Sequence, residues 1–142
     1  MLSVTETNDS RSNRNKENIL AFYDLMLNQQ KPAEAVAKYL VSDYLQHNPL
    51  IPSGAQGLAD FFGQIIKSRP KLHVKVHRIV AIGDYVWTHV NFINLYNDES
   101  QDRGIAGVDI FRMNADGKAV EHWDVLQEVA DPQRAANSNG MF

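Results

Sequence analysis

GVDIFRMNADGKAVEHWDV, residues 107–125, reads as two strands and the turn between them. Asp116-Gly117 is a strong hairpin signal, because glycine enters the positive-φ half of a tight turn at no steric cost. Before the turn, Val108, Ile110 and Phe111 belong to a buried strand, where the carboxylate of Asp109 is out of place. After it, His122 and Asp124 alternate with Glu121, Trp123 and Val125, so those two share a face. The loop length decides how they meet Asp109. A two-residue loop sets Asp109 opposite Asp124 and Phe111 opposite His122, and a four-residue loop sets Asp109 opposite His122. Either gathers all three on one face, whereas a three-residue loop divides them, because a slip of one residue inverts the alternation.

Working outward, Leu72, Val74 and Val76 alternate with His73, Lys75 and His77, the period of a half-buried strand, and Gly83-Asp84 turns the chain into a second β-rich stretch at 85–96. Further stretches at 104–114 and 118–129 complete four sequential strands. Upstream the period is helical. Ile19, Phe22, Tyr23 and Met26 mark one face of a helix over 15–28, Pro32 suits the first turn of another over 32–40, and Leu58, Phe61, Phe62, Ile65 and Ile66 mark a third over 57–68. Residues 44–50 (YLQHNPL) form a short extended stretch entering Pro and Gly turns. Three helices followed by a hairpin-connected meander predict an α+β domain with the helices on the concave face of a curved antiparallel sheet. Residues 1–14, polar and without period, are expected to be a disordered N-terminal tail; the domain spans 15–130, and 131–142 is a C-terminal tail.

The chain has 142 residues, 44% hydrophobic and 22% charged, which suits one globular domain. A formal net charge of −3 offers no footprint for nucleic acid or anionic lipid. No cysteine is present, which excludes disulfides, thiol nucleophiles and thiolate zinc sites. No apolar run is long enough to span a bilayer and no signal-peptide pattern opens the chain, so a cytoplasmic protein is expected. GxGxxG, Walker, GxSxG and HExxH motifs are all missing.

Tyr23, His47, Asn48, His89, Asp109, His122 and Asp124 stand in otherwise apolar segments. Titratable groups in an apolar cup suit acid–base chemistry, because desolvation raises a carboxyl pKa and a neighbouring carboxylate favours imidazolium. Such a set can take a proton from carbon beside a carbonyl and stabilise the enolate. Asp109, His122 and Asp124 are the expected acid–base groups, with Tyr23 as donor and His47 as auxiliary base. Asn48, His89, Phe111, Phe62, Trp87 and Leu126 are expected to contact a substrate. His47, His89 and His122 lack the local spacing of a metal motif, and neither a metal nor another cofactor is expected. His73 and His77 face solvent or a partner, and Arg112 and Glu121 pair on the exposed side of the hairpin.

The element order, with NILAFYDLMLNQQKPAEAVAKYLVSDYLQHNP near the front and GVDIFRMNADGKAVEHWDV near the end, resembles the SnoaL-like polyketide cyclase family of the NTF2-like superfamily over about residues 15–130. The resemblance implies an NTF2-like (cystatin-like) cone with a deep pocket. It also implies cofactor-free lyase or isomerase chemistry on ketones or enols, and homodimers formed through the sheet. Within the superfamily, ketosteroid isomerase is similar at its oxyanion-hole Asp, which falls on Asp109, and at its oxyanion-hole Tyr, which falls on Tyr23 with Asn28 five residues on. The place of its general base is taken by His47-Asn48-Pro49, which leaves His47, His122 or Asp124 for that role. The other expectation is a non-catalytic small-molecule binder or dimeric accessory protein.

Overall fold

The computed structural model describes residues 1–5 and 9–142. The expected meander is present as β3 (His73–Ile82), β4 (Tyr85–Ile93), β5 (Ile105–Met113) and β6 (Ala119–Glu128), paired antiparallel in chain order. Two unexpected strands extend it at the edges. β1 (Leu2–Thr5) runs parallel to β3 and β2 (Leu40–Gln46) parallel to β6, so the sheet is six-stranded and mixed, in the order β1-β3-β4-β5-β6-β2. The β2 strand escapes a periodicity reading because its register with β6 breaks between Leu40 and Leu45, which interrupts the alternation.

Three helices, α1 (Ser10–Tyr23), α2 (Pro32–Tyr39) and α3 (Ala55–Ser68), complete the α+β architecture. Ile19 and Leu27 are fully buried, each contributing about 1.5–3 kcal/mol relative to exposure, and they join Phe22, Ala35, Leu58, Val86 and Phe111 in one core. Beyond Tyr23 the first helix widens into a π turn, Asp24–Asn28, in which the Gln29 N–H donates to the Asp24 carbonyl at 2.8 Å. Asn28 Oδ1 then accepts from the Val74 N–H at 2.9 Å and clamps the helix end to β3.

The expected disordered tail over 1–14 is corrected at both of its described parts, by β1 and by the start of α1. Asp9 caps that helix by accepting from the Arg11 N–H. Ser12 and Asn15 have no exposed surface: Ser12 Oγ accepts from the Gly83 N–H at 2.8 Å and Asn15 Nδ2 donates to the Gly83 carbonyl at 2.9 Å. These polar side chains carry no apolar signal, yet they satisfy both backbone groups of the turn between β3 and β4. Residues 131–142 are irregular, and Phe142 stacks on His77 at 4.2 Å, outside the sheet.

The β5–β6 hairpin reaches its expected pairing by another route. Asn114 donates its N–H to the Lys118 carbonyl at 2.8 Å around Ala115-Asp116-Gly117, a three-residue loop with Gly117 at φ 75°. Left alone, that loop would send Asp109 and His122 to opposite faces. A register shift follows at once: Met113 pairs with Ala119 but Arg112 pairs with Glu121, leaving Val120 as the extra residue of a bulge. Beyond it Phe111 faces His122 and Asp109 faces Asp124.

Substituting Asn15→Leu keeps the branched shape of the side chain and leaves the Gly83 carbonyl without its donor, so a loss of about 1–3 kcal/mol is expected in urea unfolding. Unchanged stability would show that the first turns of α1 are dispensable.

Candidate active site

Because side chains alternate, β5 sends Asp109 and Phe111 inward, β6 sends His122 and Asp124, and β4 sends Thr88, toward the helices. A cavity of about 70 Å³ lies there, walled by Phe22, Met26, Leu58, Phe62, Phe92 and Leu126. Leu50 and Tyr96, both well exposed, stand at its rim. Its polar floor is a continuous hydrogen-bonded set.

Asp109 is 2% exposed, and both of its carboxyl oxygens are hydrogen-bonded. Tyr23 donates to Asp109 Oδ2, and Thr88 Oγ1 lies 2.7 Å from the same Tyr23 hydroxyl. His122 Nε2 is 3.1 Å from Asp109 Oδ1, and its Nδ1 is 2.8 Å from Gln46 Oε1. Burial, together with the neighbouring Asp109 carboxyl, pushes the Tyr23 hydroxyl well above the ordinary tyrosine range, which keeps it a donor. Tyr44 is likewise raised, first by burial and then by Asp109 and Asp124.

Asp124 is the least enclosed of the three acid–base candidates. Asn48 Nδ2 donates to its Oδ2 at 2.8 Å, and Asn48 is oriented because its own Oδ1 accepts from the Leu50 N–H at 2.9 Å. Burial raises the Asp124 pKa above its ordinary 3.8, against the lowering effects of Asn48 and His122. Asp109, His122 and Asp124 each offer an atom within 4.8 Å of the others, a spacing that suits one cation. Both oxygens of Asp109 and both ring nitrogens of His122 already have protein partners, however, so the donor set is committed internally.

The structure brings together Tyr23, Asn48, Phe62, Asp109, Phe111, His122, Asp124 and Leu126 around this cavity. Three expected site residues lie elsewhere. His47 follows the inward Gln46 and therefore points out: it stacks on Trp123 at 4.9 Å and its Nε2 lies 2.9 Å from Glu121 Oε1. With its side chain 45% exposed it cannot serve the cavity as a base, and it acts with Arg112 to hold the Glu121 carboxyl below the usual range. Trp87 and His89 flank the inward Thr88 and so occupy the outer face. Trp87, 50% exposed, sits in a cross-strand row with Val80, Ile110 and Trp123, while Arg78 donates to His89 Nδ1 at 3.0 Å and Phe142 packs against its ring. The three histidines considered for a metal are thereby split between the two sides of the sheet. Arg112 and Glu121 do pair, at 2.8 Å.

Gln46, Tyr44 and Thr88 are site residues that sequence reasoning missed. Thr88 was findable as the residue paired with Asp109, and Gln46 as the immediate neighbour of His47-Asn48-Pro49 on the opposite alternation.

The profile described as a SnoaL-like domain matches residues 19–122. Comparison with curated proteins finds no match. Among solved structures, a candidate polyketide cyclase from Bacillus cereus ATCC 10987 superposes with a TM-score of 0.73 at 18% identity, covering 89% of this chain and 84% of that one. A candidate SnoaL-like polyketide cyclase from Jannaschia sp. CCS1 gives 0.67 at 16% identity, over 86% and 91% of the two chains. An NTF2-like protein of unknown function from Mesorhizobium loti gives 0.67 at 18%, over 87% and 98%. At such identities the likeness establishes the NTF2-like fold.

A raised Asp124 pKa makes the charged carboxylate a liability to folding. The cost is absent well below the ordinary ionisation at 3.8 and grows as pH rises through it. Asp124→Asn retains an acceptor for Asn48, so this variant should melt above the parent at pH 7, with the advantage vanishing by about pH 3. A lower melting temperature at pH 7 would contradict that assignment.

Proposed function

The chain belongs to the SnoaL-like domain family, and from that premise we propose that it is a cofactor-free acid–base enzyme, a lyase or isomerase of the aldol cyclase kind, acting on a ketone or another enolisable carbonyl compound. The observation that carries this reading is the floor of the cavity: Tyr23, Asp109, His122 and Asp124 joined beneath apolar walls. Asp124 is the base. It is the carboxyl with one oxygen held by Asn48 and, among the described residues, no protein hydrogen bond on the other. Its pKa, lifted by burial, gives it more affinity for a carbon-bound proton than an exposed aspartate has. As the C–H bond breaks, its electron pair forms the enolate, and the oxygen that gains charge meets the donors of the Tyr23–Asp109–His122 set. The apolar walls strengthen those contacts.

A second reading, a small-molecule binder or accessory protein without turnover, is favoured by a polar floor in which both oxygens of Asp109 and both ring nitrogens of His122 already have protein partners, beneath a cavity of about 70 Å³. In either reading the second copy of a homodimer meets the outer face, where Val80, Trp87, Val108 and Val125 are exposed together. A cytoplasmic setting fits the cysteine-free composition.

The decisive experiment is loss of α-proton signal from small ketones, acetylacetone first, followed by NMR in deuterated water. The native protein should accelerate exchange, and Asp124→Asn and Asp109→Asn should each slow it by about 10²-fold or more while ligand binding persists. No acceleration by the native protein across a ketone panel, with binding lost in both variants, would favour the binder. Trp87→Glu with Val125→Lys should convert a dimer to a monomer in light scattering; an unchanged mass would place the interface elsewhere.

A further inference from the structure

The orientation of one amide fixes all but one of the protons along the hydrogen-bonded chain that runs through Asp109. Gln46 lies beside His122 on the parallel neighbouring strand, in register with it. Its Oε1 is 2.9 Å from the Asn48 backbone N–H. A backbone N–H only donates, so the atom facing it must be the amide oxygen, and the side chain cannot be turned over without setting two donors against each other. The same Oε1 is 2.8 Å from His122 Nδ1. Amide oxygen brings no proton, so Nδ1 has to carry one.

The remaining contacts then follow in sequence. His122 Nε2 and Asp109 Oδ1, 3.1 Å apart, form a hydrogen bond only if a single proton lies between them. Asp109 Oδ2 receives the Tyr23 hydroxyl proton, and because Tyr23 has no second one, Thr88 donates to the Tyr23 oxygen. From Asn48 through Gln46, His122, Asp109 and Tyr23 to Thr88, every proton has one home except that between Nε2 and Oδ1.

We propose that Gln46 is a positioning residue that locks His122 in its Nδ1–H form, leaving one movable proton between His122 Nε2 and Asp109 Oδ1 at the floor of the cavity. On Nε2 that proton makes an imidazolium–carboxylate pair; on Oδ1 it makes a neutral acid beside a neutral imidazole. Both arrangements have zero net charge, so the shift changes which group donates without burying a new net charge. Its use in turnover rests on the acid–base reading above, whereas the tautomer itself does not. The ligand suited to it carries a carbonyl or enol oxygen, which takes over the Tyr23 hydrogen bond from Asp109 Oδ2 while the shared proton moves onto Asp109 and keeps that carboxyl neutral.

The test is long-range ¹H–¹⁵N correlation of the histidine rings in the full-length ¹⁵N-labelled protein, with the His122 signals assigned by their loss in His122→Phe. Protonated Nδ1 is expected throughout, as either the imidazolium or the Nδ1–H pattern. A neutral ring protonated at Nε2 alone would overturn the proposal. Gln46→Glu keeps an acceptor at the same place and should preserve the pattern. Gln46→Met removes it and should let the Nε2–H form appear; a spectrum unchanged by Gln46→Met would equally overturn the role of Gln46. If Gln46→Met does not fold, the parent spectrum and Gln46→Glu still decide. In ketone exchange, Gln46→Met should lower kcat at least about tenfold with KM little changed, as for a catalytic histidine held in the wrong tautomer, and Gln46→Glu should restore part of it. Nδ1 protonation with no exchange activity would leave the proposal standing and defeat the enzyme reading; exchange activity lost in Asp124→Asn, with Nε2–H at His122, would do the reverse.

Discussion

A carboxyl buried in an apolar layer must be given partners, and in this protein those partners come from distant parts of the chain. Asp109 on β5 is held by Tyr23 near the end of α1 and by His122 on β6, and through Tyr23 by Thr88 on β4. An uncompensated charge at that depth would cost several kcal/mol. Docking of the first helix, pairing of the last two strands and the inward alternation of β4 therefore satisfy a single polar requirement together. The π turn following Tyr23 and the Asn28 clamp onto β3 hold the helix end where the hydroxyl reaches the carboxyl.

Much of this was legible in residues 107–125. Alternation placed His122 and Asp124 on one face, and the cost of an unpaired buried carboxylate pointed to Asp109 as more than packing. Alternation alone could not say which face of β4 was inward. His89 and Trp87 share a parity, but the residue between them, Thr88, is the one opposite Asp109, which leaves both on the outer face and away from any substrate in the cavity. His47 failed for a related reason: it is adjacent to Gln46, and a one-residue step along an extended chain exchanges cavity for solvent. The start of α1 was hidden because Ser12 and Asn15 are buried for their hydrogen bonds with Gly83, and hydrophobic periodicity is blind to such positions. The strand β2 was hidden by its broken register.

The segment Gln46-His47-Asn48-Pro49-Leu50 shows how loop chemistry is turned to the needs of a site. Two backbone N–H groups, those of Asn48 and Leu50, each orient the oxygen of the side-chain amide two residues earlier. Gln46 then presents an acceptor to His122, and Asn48 presents a donor to Asp124. Two amides of similar chemistry thus receive opposite tasks from the same turn, and the polarity at the cavity floor is set by main-chain geometry in an otherwise unremarkable loop. Pro49, between Asn48 and Leu50, has no N–H to compete.

The bulge at Val120 offsets the odd length of the Ala115-Asp116-Gly117 loop. Insertions and deletions in this hairpin are consequently subject to a parity rule. A single-residue change must arrive with gain or loss of a bulge, or it exports His122 and Asp124 to the outer face; a change of two residues carries no such condition. Among descendants of this chain, lengths of the 114–118 turn should drift in even steps, with odd ones accompanied by a compensating irregularity close to the turn.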